Sequence, residues 1–342
     1  MLITLLCILC ALLLIAAVIY LCLAAKYPHV SRGLRFPGWL ISAVTSYDSV
    51  EGLLRFAHLA SKFRPPLLHH KAVDIQKFTI SGRDEKPVPL VIYRPEKAGS
   101  SATGLLWIHG GGYAIGCPEG ELRFLKPLIL ETGTVVVSPD YRHSDAAPYP
   151  AAFHDCLDAL LWMQAHADQL GINKNQIFVG GASAGGGLAA ALALYARDSR
   201  SVQIAFQLPI YPMINDRMDT PSMAGNREML WDEGRNRAAW QLYLGSLYGT
   251  EDVPVYAAPA RESDYSGLPP AYTFVGTLDP FYDETLQYMQ ALQKNGIPAE
   301  YDIWEGAFHG FDVIPSKISG EARKKLLTAY KYAVTHYFAE QP

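Results

Sequence analysis

From residue 73 onward, short apolar, β-branched runs alternate with stretches whose apolar positions recur at helical spacing. The pattern predicts strands at Val73 to Ile80 and Val88 to Tyr93, joined by Ser81-Gly82-Arg83-Asp84 and therefore antiparallel. A strand–helix rhythm follows. Strands are expected at Gly104 to Ile108, Thr134 to Ser138 and Gln176 to Gly180. The helices between and after them are Glu119 to Glu131, Ala151 to Ala167 and Gly186 to Leu194. Later strands fall at Ile204 to Ile210, Tyr272 to Val275 and Ala299 to Ile303, with helices at Glu284 to Lys294 and near Glu321 to Phe338. Alternation of this kind implies an α/β fold, a mostly parallel central sheet covered by helices on both faces. Ligands of such sheets gather at the carboxyl ends of the strands.

Two stretches break the rhythm. Between Tyr211 and Pro269, Met218, Met223, Met229, Leu230 and Trp231 cluster with polar residues. One helix is expected there from Arg235 to Leu244, ended by Gly245. The other stretch precedes the sheet. Tyr27 to Gly38 reads as a Pro/Gly-punctuated linker. Trp39 to Phe63 reads as helical, with capping-box spacing from Asp48 to Glu51 and Val50, Leu53, Leu54, Ala57 and Leu59 near one face. It is either an ordinary core helix or a cap helix over a pocket. The expected organisation is a linker and cap helix over 26–72, then an α/β domain over 73–342 carrying a cap insertion at about 211–268.

Residues 1–25 stand apart. They contain no Asp, Glu, Lys, Arg or His, and the run ends at Lys26. About twenty apolar residues suffice to cross a bilayer as a helix. The expectation is a transmembrane, single-pass N-terminal anchor, and so a membrane localisation. A signal sequence, with secretion after cleavage, is the competing reading, and a buried core helix is the third. Lys26, Arg32 and Arg35 lie just after the span, too small a bias to decide the side of the membrane.

Composition narrows the function classes. The chain has 342 residues, 50% hydrophobic and 18% charged, enough for one large core. The net charge of −4, without a long basic stripe, gives nucleic-acid binding little support. Of five cysteines, Cys7, Cys10 and Cys22 lie in the apolar run and read as small apolar filler, leaving Cys117 and Cys156. No disulfide framework is implied. No His-Glu-x-x-His or comparable ligand set appears, so no metal is expected.

Candidate chemistry starts at Gly181-Ala182-Ser183-Ala184-Gly185, pinched between a predicted strand and a predicted helix. A serine there, with glycine two residues away on each side, is the nucleophile-elbow pattern. The glycines allow the strained turn and the close approach of strand and helix. Such a pentapeptide arises by chance in roughly one chain in ten of this length, so the reading depends on partners. After the strand Leu105 to Ile108 stands His109-Gly110-Gly111-Gly112-Tyr113. Three glycines leave backbone N–H groups uncovered at a strand end, as a developing oxyanion needs. The amides of Gly111, Gly112 and Ala184 are the expected oxyanion hole. His109 and Gly110, like Gly181 and Gly185, are expected to shape the motifs.

A serine needs a base to take its proton. Of ten histidines, His309 in Glu305-Gly306-Ala307-Phe308-His309-Gly310-Phe311 follows a late strand and has aromatic flanks. His69-His70 precede the sheet, His154 and His166 sit in a helical pattern, and His336 is near the terminus. The base in turn needs a carboxylate to fix its tautomer. Asp279 is the first acid after the strand Thr273 to Val275, with Asp283 and Glu284 as the fallback. The order Ser183, Asp279, His309 is that expected of α/β-hydrolases.

With these residues in place, the chain resembles the hormone-sensitive-lipase-like (group IV) esterases of the α/β-hydrolase fold. The likeness runs from about Val73 to the C-terminus. It is carried by the glycine loop and the elbow, and also by Asp140-Tyr141-Arg142, Pro148-Tyr149-Pro150-Ala151-Ala152, Leu268-Pro269-Pro270, Asp279-Pro280-Phe281-Tyr282-Asp283-Glu284 and His309-Gly310-Phe311. It implies hydrolysis of a small-molecule carboxylic ester, often with a short or medium acyl chain, without metal or cofactor, and with Ser183, Asp279 and His309 as the triad. Ala182 departs from the family's usual Asp, and His143-Ser144-Asp145-Ala146 from its Leu-Ala-Pro-Glu. An amidase or deacetylase using the same triad stays open. So does a non-catalytic small-molecule receptor on the same fold, although the receptors of this kind lack the triad histidine. The oligomeric state and the natural substrate are not legible.

Overall fold

In the computed structural model, the described residues are 14, 17–45, 47–66, 70–83, 85–96, 99 and 101–342. Eight strands form one sheet: β1 (Val73–Ser81), β2 (Pro87–Pro95), β3 (Ala102–Ile108), β4 (Val135–Pro139), β5 (Ile172–Ala182), β6 (Phe206–Ile210), β7 (Ala271–Gly276) and β8 (Ala299–Trp304). Their order is β1-β2-β4-β3-β5-β6-β7-β8. β2 pairs antiparallel with β1 and β4, and from β4 to β8 every pairing is parallel. The chain leaves β3 for β4 on one side and later enters β5 on the other. A crevice therefore opens at the carboxyl ends of β3 and β5, where ligands of such sheets bind.

The apolar runs explain the layers. Along β3, Leu106 and Ile108 face one core, and Leu105 and Trp107 face the other. This is the two-residue period of a strand buried on both faces. Among the described residues, the helices from Arg32 onward are α1 (Arg32–Val44), α2 (Val50–Lys62), α3 (Leu122–Thr132), α4 (Ala151–Ala165), α5 (Ala167–Leu170), α6 (Ala184–Ser199), α7 (Glu233–Leu244), α8 (Tyr282–Lys294) and α9 (Lys317–His336). α4, α6 and α8 bury Leu160, Leu188 and Met289 in the first core. α3 and α9 bury Leu125, Ile129, Leu326 and Tyr330 in the second.

Three expectations are corrected before the sheet. The linker expected at Tyr27 to Gly38 is helical from Arg32, with Pro37 inside α1. Proline forfeits one backbone hydrogen bond there, but Leu34 and Gly38 are buried, and a β-carbon on Gly38 would lie 2.5 Å from the Phe308 ring and 2.8 Å from Met229 Sδ. Burial outweighs propensity. The single helix expected over Trp39 to Phe63 is divided between α1 and α2. The cap is Ser49, whose hydroxyl accepts the Gly52 N–H at 3.2 Å, and not Asp48.

The third correction concerns the membrane anchor expected over 1–25 and the localisation built on it. Among the described residues, no helix is long and apolar enough to cross a membrane. The helical residues described in this stretch are 14 and 17–26. Leu23 within them is buried at 6% exposure. Residues 1–13, 15 and 16, which carry the rest of that expectation along with Cys7 and Cys10, lie outside the described residues.

Candidate active site

β5 delivers Ser183 into the turn that opens α6, with φ 58° and ψ −123°, a conformation sustained only where surrounding structure fixes it. The Ser183 N–H donates to the Ile210 carbonyl at 2.9 Å, and its own carbonyl accepts from Gly187 and Met213 at 3.0 and 3.1 Å. A β-carbon on Gly181 would collide with the Gly185 carbonyl, and one on Gly185 with the Ile108 carbonyl. The elbow is thus wedged against the end of β3, and Ala184 is fully buried at the start of α6.

The glycine loop closes on the same spot. A β-carbon on Gly110 would lie 2.8 Å from the Ala182 carbonyl. Gly111 takes φ 118° against the Ile115 carbonyl, and Gly112 takes φ 58° against the Trp231 ring. His109 is completely buried. Its Nδ1–H donates to the Gly110 carbonyl at 2.8 Å, and its ring stacks on Tyr141 at 4.3 Å. Tyr141 in turn donates its hydroxyl to the His109 carbonyl at 3.0 Å. Burial pushes the His109 imidazole down to about 3, so it stays neutral. A neutral imidazole held in this way is poorly suited to carry protons.

Ser183, Asp279 and His309 come together from three loops. His309 Nε2 lies 2.9 Å from Ser183 Oγ, and Nδ1 lies 2.8 Å from Asp279 Oδ2. The second Asp279 oxygen accepts the Phe281 N–H at 2.8 Å. Tyr211 and Phe281 meet the imidazole edge to face, each at 4.8 Å between centroids. The fallback acids are engaged elsewhere. Asp283 accepts the Ser222 N–H at 2.7 Å, and Glu284 accepts the Ile214 and Asn215 N–H groups at 2.8 and 3.2 Å. Burial raises Glu284 well above the ordinary carboxyl range.

Ser183 and His309 open into a cavity of about 460 Å³. Gly110 and Gly111 form one edge, Ile41 and Phe56 come from the N-terminal helices, and Leu230 and Trp231 come from the segment after β6. These elements hold one another. The Leu230 N–H donates to Ser42 Oγ at 2.9 Å, and Arg235 sits over the Tyr47 ring at 5.6 Å.

Two carboxyl groups of this cavity escape a reading of the sequence. Glu121 accepts the Trp107 indole N–H at 2.7 Å and is pushed up to about 7 by burial. Asp312 accepts the Tyr211 hydroxyl at 2.7 Å and is raised by burial as well. It fixes the ring that packs on His309. Its position three residues after that histidine was the available signal.

Comparison with known proteins bears on the fold and the activity. The family model for the alpha/beta hydrolase fold matches residues 105–313. Esterase LipI of Mycobacterium tuberculosis is 32% identical over 227 residues, 66% of this chain and 71% of LipI. Carboxylesterase NlhH of the same organism is 29% identical over 297 residues, 85% of this chain and 91% of NlhH. Among solved structures, a bacterial heroin esterase superposes with a TM-score of 0.82 at 32% identity, covering 90% of this chain and 99% of its own. Esterase LipW of Mycobacterium marinum gives a TM-score of 0.79 at 30% identity, covering 90% of this chain and 96% of its own. The chain belongs to the hormone-sensitive-lipase-like branch of the alpha/beta hydrolase family and is a carboxylic ester hydrolase.

Proposed function

We propose that this esterase works through an acyl-enzyme on Ser183, on esters of short or medium acyl length. The observation that carries the reading is the unbroken hydrogen-bonded line from Ser183 Oγ through His309 to Asp279. His309 Nε2 takes the hydroxyl proton as Oγ attacks the ester carbonyl. The Nδ1–H donates to Asp279, which stabilises the imidazolium. The amides of Gly111, Gly112 and Ala184 receive the oxyanion, each such donor being worth on the order of 2.7–4 kcal/mol of barrier. As the tetrahedral adduct collapses, His309 returns the proton to the leaving alcohol oxygen. Water, deprotonated by the same nitrogen, then releases the carboxylic acid and restores Ser183.

Residues 26–72 and 211–268 act as the cap in this reading. A cavity of about 460 Å³ sits in the lower part of the ~300–1,000 Å³ range of ligand pockets, which supports shorter acyl chains.

The test is turnover of p-nitrophenyl esters beside the matching anilide, by the wild type and Ser183→Ala. Ester hydrolysis lost in the variant supports the reading. Anilide cleavage as fast as ester cleavage would make the enzyme an amidase, and no turnover by the wild type would make it a receptor.

A further inference from the structure

Behind the glycine loop lies a second cavity of about 450 Å³, close in volume to the one that holds Ser183. Ala57 and Ala60 of α2, with Phe63 just past its end, bound it on one side, and Ala114, Cys117 and Ala146 on another. Among the described residues, Ile115 is common to the linings of both cavities. The division continues on α2, where Phe56 lines the first cavity and its neighbour Ala57 the second. The Ile115 main chain cannot retreat. Its N–H donates to the Gly111 carbonyl at 3.0 Å, and its own carbonyl fills the place where Gly111 would carry a side chain. Ile115 therefore stands where the two spaces meet, among the described residues.

The mechanism proposed above, on which this inference rests, orients the ester. The leaving oxygen must face His309 Nε2 to receive its proton. Gly310, Asp312 and Val313, which follow His309, line that end of the cavity. The acyl arm runs the other way, along the glycine loop that holds its carbonyl oxygen, and Ile115 stands at the end of that loop. We infer that Ile115 is the acyl-length gate: its side chain closes the acyl compartment and keeps longer chains out of the second cavity. Shortening it joins two spaces of similar volume and lets an extended alkyl chain pass between them.

The experiment measures kcat/KM for p-nitrophenyl esters from acetyl to decanoyl, in the wild type, Ile115→Val, Ile115→Ala, Ala60→Phe and the Ile115→Ala/Ala60→Phe double variant. Each methylene that gains apolar cover favours its substrate by about fourfold. The decanoyl-to-butyryl ratio should therefore rise by about tenfold or more in Ile115→Ala, with Ile115→Val between it and the wild type. Ala60→Phe puts a ring into the second cavity, where the longer chain would run. It should leave the wild-type ratio unchanged and cancel the gain in the double variant. An unchanged ratio in both Ile115 variants, or a gain that Ala60→Phe does not cancel, overturns the inference. So does a gain confined to acetate esters of lengthening alcohols. If the wild type does not hydrolyse even the acetyl ester, the mechanistic reading fails and this inference fails with it. Short esters hydrolysed with no response at Ile115 would sink the gate alone.

Discussion

Asp279 divides its two oxygens, one at 2.8 Å from His309 Nδ1 and the other accepting the Phe281 N–H at 2.8 Å. The carboxylate is thereby tied to its own loop while it orients an imidazole 30 residues further along the chain. Asp279 is 1% exposed, so water does not compete for either bond. Asp279→Asn should keep the shape and lose the charge. An amide nitrogen facing Nδ1 favours the wrong imidazole tautomer, leaving Nε2 protonated and unable to take the serine proton. The expected loss in kcat is about 10³–10⁴-fold with little change in KM. Steady-state kinetics on a butyryl ester check it. A loss below tenfold would mean that another acid does this work.

Ser183→Ala should bring ester turnover to the residual level set by binding and the oxyanion donors, and it should abolish labelling by a fluorophosphonate probe. The exposed Ser61 and Ser199 serve as internal controls, since the Ser61 hydroxyl donates to the His58 carbonyl and the Ser199 hydroxyl pairs with that of Ser201. Mass spectrometry of the labelled peptide is the measurement. A probe adduct on any residue but Ser183 would count against the acyl-enzyme.

Much of this was legible in the sequence, for a physical reason. The strands at the centre are buried on both faces, so Leu105-Leu106-Trp107-Ile108 reads as a continuous apolar run wherever it occurs. The elbow and the glycine loop are legible because their constraint is local: Gly110, Gly111, Gly181 and Gly185 have no room for a β-carbon. What escaped is set by distant parts of the chain. α1 continues through Pro37 because Phe308 and Met229 receive Gly38. Glu121 and Asp312 look like ordinary surface acids until Trp107 and Tyr211, from other elements, bury and bond them. The anchor expected over 1–25 rested on apolar composition, which says nothing about what an apolar residue meets: among the described residues no helix is long and apolar enough to cross a membrane, and Leu23 is buried.

Glu121 gives the stability a pH dependence whose sign can be worked out. Its folded pKa, about 7, lies above the ordinary value of 4.5, first because burial disfavours the charge and then because Asp312 is close, against the Trp107 hydrogen bond. The folded protein therefore binds this proton more tightly than the unfolded chain. The stabilisation is fully present below about 4.5 and is lost as pH rises through about 7. Glu121→Gln keeps an acceptor for the Trp107 indole and removes the ionisation. The stability gained by the variant over the wild type should grow between pH 5 and pH 8. Denaturant unfolding at both pH values tests this, and a difference that does not change with pH would remove Glu121 as the source.

The tightness of the elbow can be separated from the general effect of adding a methyl group to a helical glycine. Gly185 and Gly320 both lie in helices, α6 and α9. A β-carbon at Gly185 would collide with the Ile108 carbonyl and come within 2.5 Å of the His109 carbonyl, both backbone atoms that cannot swing aside. At Gly320 nothing lies within 4 Å of the same position. In α9 the methyl group reduces only the freedom of the unfolded chain. Gly320→Ala should therefore stabilise the protein by about 0.5–1 kcal/mol. Gly185→Ala must push the start of α6 away from the end of β3, at about 2–4 kcal/mol. The same displacement moves Ser183 away from Gly111 and Gly112, so the variant should lose activity even where it is fully folded. Unfolding midpoints paired with butyryl-ester kinetics well below the transition decide the matter. If Gly185→Ala proved as stable and as active as Gly320→Ala, the close approach of β3 and α6 would not be what holds the serine in place.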